Sequence, residues 1–173
     1  MKKVTLAGIL ITFLLFLYVC KPVEKMPARP SITFKSFQTF DTIDTLGNNI
    51  RAGRLKFYFQ DGDGDLGLKP PQTSGDDSTN MFFKLYRVKN KALVPASDND
   101  PLKPSDYRIP YLSTIGQNVF LRGTISVTFL YWFYENSDTI LYNFCIKDRA
   151  GNISDTATTC EIPIIRDTIC KGN

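Results

Sequence analysis

Asp61, Asp63 and Asp65 stand at alternate positions in the run Asp61-Gly62-Asp63-Gly64-Asp65-Leu66-Gly67, whose glycines let the backbone wrap. Three carboxylates spaced this way can turn their oxygens onto one hard cation. Asp76 and Asp77 follow in the same loop and add two candidate ligands. The chain of 173 residues has no histidine. That excludes Ser-His-Asp and Cys-His nucleophile pairs, a paired-histidine zinc helix and an imidazole base working near neutral pH. Among metals, an oxygen-only set of this kind suits calcium. The acidic residues comprise 14 Asp and 3 Glu. Such a bias fits oxygen ligands, and it equally fits ordinary turns whose aspartates bond their own backbone.

The second concentration is aromatic. Phe129 to Tyr134 reads Phe-Leu-Tyr-Trp-Phe-Tyr, so if Phe129, Tyr131 and Phe133 face a core, Leu130, Trp132 and Tyr134 face outward. Trp132 and Tyr134 are then the candidate ligand-binding pair, a platform for a glycan or an envelope protein. The plainer expectation is that the N-terminal segment with Phe37 and Phe40, or the long loop, covers this stripe. Enzymatic readings lack their parts: no G-x-S-x-G elbow, no S-x-x-K pair, no phosphate-cradling glycine loop before a helix and no C-x-x-C. The chain is read as non-catalytic, with a carboxylate-based glycan-acting enzyme as the remaining enzymatic alternative.

The elements that must position these residues are strands. Hydrophobic positions recur with period two in Leu55-Phe57-Phe59, Phe83-Leu85, Ile125-Val127-Phe129 and Ile140-Tyr142-Phe144-Ile146. Turn residues punctuate them, and no helical stripe follows the N-terminus. About seven short strands over residues 31–166 predict an all-β, antiparallel sandwich of immunoglobulin-like type. Pro163 places its run on a sheet edge. Residues 167–173 read as a tail. Cys145 and Cys160 flank a hairpin and are the first candidate disulfide, although strand phase points them to opposite faces. Cys160 with Cys170 is the next.

Residues 1–19 read as a signal helix: Lys2 and Lys3 precede the uncharged run Val4 to Val19, too short to span a bilayer. Residues 20–30, with three prolines after Cys20, read as a tether. Removing the signal leaves 154 residues and lowers the net charge from +4 to +2. With no dense Lys/Arg cluster, nucleic acid is not an expected partner.

Three resemblances add to this reading. Leu17-Tyr18-Val19-Cys20 resembles a bacterial lipobox, departing from it at Val19, and implies lipidation of Cys20 and a membrane address. The aspartate run resembles the opening of an EF-hand loop, but Leu66 replaces its sixth-position glycine and Gln72 its bidentate acid. Asp148-Arg149-Ala150-Gly151-Asn152-Ile153-Ser154 looks like the last turn of bacterial immunoglobulin-like and fibronectin type III-like domains. With the aspartate run and Tyr107-Arg108-Ile109-Pro110, it makes the chain similar to single-domain lipoproteins common in Bacteroidota. That topology puts the last turn beside the loop after the second strand, adding Asp148 and Asn152 to the calcium ligands. Chain entry falls at the same end. Lys21 after the cysteine, where an inner-membrane retention signal has Asp, implies the outer membrane. The expected role is a binding or assembly module of the cell envelope, or a structural subunit of an outer-membrane lipoprotein complex.

Overall fold

The structure, a computed structural model, describes residues 26–71, 78–113 and 119–172. These residues contain nine strands and no helix: β1 Ser31–Ile43, β2 Asn49–Asp61, β3 Met81–Lys89, β4 Ala92–Pro95, β5 Leu121–Tyr131, β6 Thr139–Ile146, β7 Ala157–Thr158, β8 Ile162–Pro163 and β9 Thr168–Lys171. One sheet has the order β5-β2-β1-β9, and the other β4-β3-β6-β7 with β8 also on β6. All strand pairings are antiparallel. The two sheets form a β-sandwich. β7 and β8 are two pieces of one interrupted edge strand, as Pro163 requires, and this interruption accounts for one of the extra strands.

The core follows the period-two runs. Leu55, Phe57 and Phe59 of β2 face Met81, Phe83 and Leu85 of β3 and Ile140, Tyr142, Phe144 and Ile146 of β6, all buried. Each such side chain contributes roughly 1.5–3 kcal/mol on burial. Phe83 packs edge-on against Phe129 and Tyr142, with centroids 5.4 and 6.1 Å away. A bulge between Phe34 and Ser36 shifts the phase of β1. It turns Phe37 inward, where it stacks on Phe129 at 6.0 Å. Phe37 is therefore a core residue and not a cover over the outer aromatic stripe.

Two sequence expectations change here. The supposed tail is strand β9, which pairs with β1 from Ser36↔Lys171 to Thr39↔Thr168. The disulfide joins Cys160 to Cys170, with Cα atoms 6.4 Å apart, and leaves Cys145 free. Strand phase is the reason: Cys145 alternates with the buried Phe144 and Ile146 and so points away from the core. The bond ties β9 of one sheet to the β7–β8 connection of the other. The buried Arg51 holds the bend before β9, its Nε donating to the Ile164 carbonyl (2.9 Å) and its Nη1 to Asp41 and Asp167 (2.7 and 2.8 Å).

Register defines the two ends of the sandwich. Asp61↔Leu121 and Met81↔Ile146 lie at one, Arg51↔Tyr131 and Arg87↔Ile140 at the other. The acidic loop and the Asp148 turn are at the first end. The β1–β2, β3–β4 and β5–β6 turns are at the second.

Candidate functional site

β2 ends at Asp61, where the chain leaves the sheet and its glycine-rich run turns back under the core. Leu66 sets that path. It is fully buried in the core, and its N–H donates to Asp61 Oδ2 at 2.7 Å. The residue that breaks the EF-hand pattern is thus the apolar pin that folds the loop.

The last turn docks on this loop. Gly151 has φ +89°, a left-handed conformation that suits glycine, and the Asp148 carboxylate caps the turn. Asp148 Oδ1 accepts from the Asn152 N–H (2.7 Å) and Oδ2 from Asn152 Nδ2 (2.8 Å). The Ala150 N–H donates to Asp65 Oδ2 at 2.9 Å. Arg149 Nη1 donates to the Gly67 carbonyl at 2.9 Å, and its guanidinium lies over Tyr111. The two loops are therefore sewn together by main-chain bonds and one arginine.

One carboxylate oxygen from each of Asp61, Asp63, Asp65 and Asp148 lies within 4.8 Å of all the others. Opposed oxygens around one calcium ion sit about 4.6–5.2 Å apart, so this set fits one coordination sphere. Asp61 is 0% exposed, and its Oδ1 has no hydrogen-bond partner; neither has Asp65 Oδ1. Each of these carboxylates thus has one oxygen fixed by a main-chain N–H and one uncommitted. Burial pushes Asp61 up to about 7, against the Leu66 N–H bond and with the help of Asp63 and Asp65. Asp65 is also raised, by burial first and then by the charges of Asp148 and Asp63. Asp63 is exposed and leaves the cluster open to water on one side.

Of the expected ligands, Asp61, Asp63, Asp65 and Asp148 come together. Asn152 Nδ2 donates to Asp148 Oδ2 and so orients that carboxylate. Asp76, Asp77 and Cys20 lie outside the described residues. The chain enters beside this cluster. The Gly62 N–H donates to the Pro27 carbonyl at 3.0 Å, and a side chain at Gly62 would collide with that carbonyl. Arg29 donates to the Ile153 carbonyl (2.6 Å) and to Asp155 (2.8 Å) just beyond the Asp148 turn. Residues 26–30, part of the segment 20–30 read from sequence as a tether, are bonded to both acidic loops.

The aromatic run lies at the opposite end. Phe129 and Tyr131 are buried as expected, but β5 ends at Tyr131 and the chain bends, leaving Phe133 75% exposed instead of inward. Trp132 is 51% exposed and Tyr134 is half-buried. Both line an open groove of about 1090 Å³. Its floor is a part-buried ion-pair group that sequence reading missed: Arg87 bonds Asp100 through Nε and Nη2, both at 2.8 Å, and Asp138 through Nη1. Burial opposes ionisation of Asp100, and the bidentate Arg87 overcomes it to hold the carboxyl below its usual range. These residues are 13 and 51 positions from Arg87 in the chain, so no local pattern announces them. Comparison with protein families, curated proteins and solved structures finds no match to the chain.

Proposed function

We propose that the chain is a non-catalytic binding or assembly module of a bacterial cell envelope, held to the outer membrane by a lipid on Cys20 and organised at its anchor side by one calcium ion. Asp61 carries the cation reading. A fully buried carboxylate with an unpartnered oxygen is costly unless something neutralises it. A proton on Asp61 would answer one oxygen. A cation answers Asp61 and Asp65 together and recruits Asp63 and Asp148. The four ligands are all oxygens, and exposed Asp63 leaves room for water to complete six to eight contacts.

The anchor reading rests on Lys2 and Lys3, the uncharged run Val4 to Val19 and the lipobox-like Leu17 to Cys20. The docked segment 26–30 supports a short connection. From Cys20 to Met26 the chain spans six residues, at most about 20 Å extended, which keeps the acidic end close to the bilayer.

Membrane fractionation and intact mass of the wild type and of Cys20→Ala test the anchor. The wild type is expected in the outer membrane, shortened by 19 residues and carrying lipid mass on Cys20; Cys20→Ala is expected to lose that mass. Unchanged membrane association and mass in Cys20→Ala would overturn this reading.

A further inference from the structure

The end of the sandwich opposite the acidic loops carries much of the exposed apolar surface, with Leu46 83%, Phe133 75% and Trp132 51% exposed. Its groove runs between the β3–β4 hairpin, residues 95–101 and the β5–β6 connection. One wall is aromatic, because the bend after Tyr131 lets the neighbours Trp132 and Phe133 both face solvent. On the floor Arg87, Asp100 and Asp138 are spent on one another and form a rigid base. The side chains of Asn90, Glu135, Ser137 and Thr139 line the groove and have no hydrogen-bond partner among the described residues.

The charge of the lining selects among ligands. Arg87 and Lys89 stand against Asp100, Glu135 and Asp138, close to balance, so neither a polyanion nor a cation gains much there. Docking an apolar surface would leave the amide, hydroxyl and carboxylate groups dry and unpaired, which opposes binding. A sugar meets both demands: its C–H face lies flat on an aromatic ring, and its edge carries a hydroxyl for each polar group. We propose that this groove binds a neutral oligosaccharide, stacked on Trp132 and Phe133 and hydrogen-bonded by Asn90, Glu135 and Ser137. At about 1090 Å³ the groove slightly exceeds the usual range of small-molecule sites, which suits several sugar units rather than one. The end that bears it faces away from the chain entry, so an anchored domain presents it outward. The site is independent of the acidic cluster at the other end.

The test uses the full chain in a zwitterionic, sugar-free detergent. It is titrated by calorimetry with α- and β-linked glucose hexaoses, xylose and mannose hexaoses and N-acetylglucosamine oligomers, with a proline-rich peptide and a sulfated oligosaccharide as comparators. Trp132 is the only tryptophan, so its emission reports occupancy directly. At least one neutral oligosaccharide should saturate the site and shift that emission. Affinity should fall at least about tenfold in Trp132→Ala, the loss typical of an aromatic anchor. Ser137→Ala should also weaken it, while thermal unfolding of both variants and binding in chelator stay unchanged. No saturable binding across the neutral panel, binding that survives Trp132→Ala, or a preference for the peptide or the sulfated sugar would overturn the proposal.

Discussion

Replacing Asp61 by asparagine separates the proton from the cation as the partner of the buried cluster. Asparagine imitates the protonated acid: it keeps an oxygen for the Leu66 N–H and carries no charge. Asp61 is raised to about 7 from its ordinary 3.8. Between those values, in chelator, the folded chain holds a proton that the unfolded chain has released. Stability contributed by this group is therefore full below the unfolded value and is lost as pH rises toward 7, by about 1.4 kcal/mol per pH unit. From pH 5 to 7 the wild type should lose roughly 2–3 kcal/mol relative to Asp61→Asn, which for a chain of this size is roughly 4–12 °C in Tm. Calcium at a hundredfold excess over its Kd should return about 2.7 kcal/mol to the wild type by mass action, and nothing to the variant. The assay is thermal or urea unfolding of both proteins at pH 5, 6, 7 and 8, each with chelator and with calcium. Parallel pH curves for the two proteins, or an equal calcium response in both, would refute the reasoning.

Three further outcomes follow from the packing. Arg87→Met should destabilise the chain by about 1–3 kcal/mol in urea unfolding, because it leaves the part-buried Asp100 and Asp138 without a counter-charge; no measurable change would mean that the carboxylates reach water. Losing the Cys160–Cys170 bond, in a Cys160→Ala/Cys170→Ala variant, should cost roughly 2–3 kcal/mol, the loop-closure value for so short a separation, with β9 amides exchanging first by hydrogen exchange. Lys91 holds φ 64° in the two-residue β3–β4 turn, where glycine is favoured. Lys91→Gly should therefore raise stability by up to about 1 kcal/mol in the same urea assay, and a loss would contradict the left-handed turn.

What the sequence disclosed and what it hid have physical causes. The runs in β2 and β6 were legible because each strand packs one face on the core and leaves the other nearer water, so alternation survives along most of their length. β1 was not, since its bulge changes the phase of Phe37 without any local residue that announces it. Phe133 failed for a related reason: the strand ends two residues earlier, and alternation has no meaning in a bend. β9 has only the four residues Thr168–Lys171 and takes its place from the Cys160–Cys170 bond and Arg51, both long-range. The acidic loop was visible because alternating Asp and Gly is a local pattern. Asp148 was placed beside it by topology. That Asn152 orients Asp148 depends on which way an amide turns, and that Leu66 pins the loop depends on the core beneath it. The Arg87 ion-pair floor joins three segments and leaves no mark in any one of them.

Calcium titration of the chelator-stripped full chain at pH 8, by calorimetry, tests the central claim most directly. One ion per chain should bind, in the range of about 0.1–1 mM seen for extracellular modules, and binding should vanish in an Asp61→Asn/Asp65→Asn variant that still unfolds cooperatively. No saturable binding at calcium tenfold above that range, or binding that persists in the variant, would contradict the account.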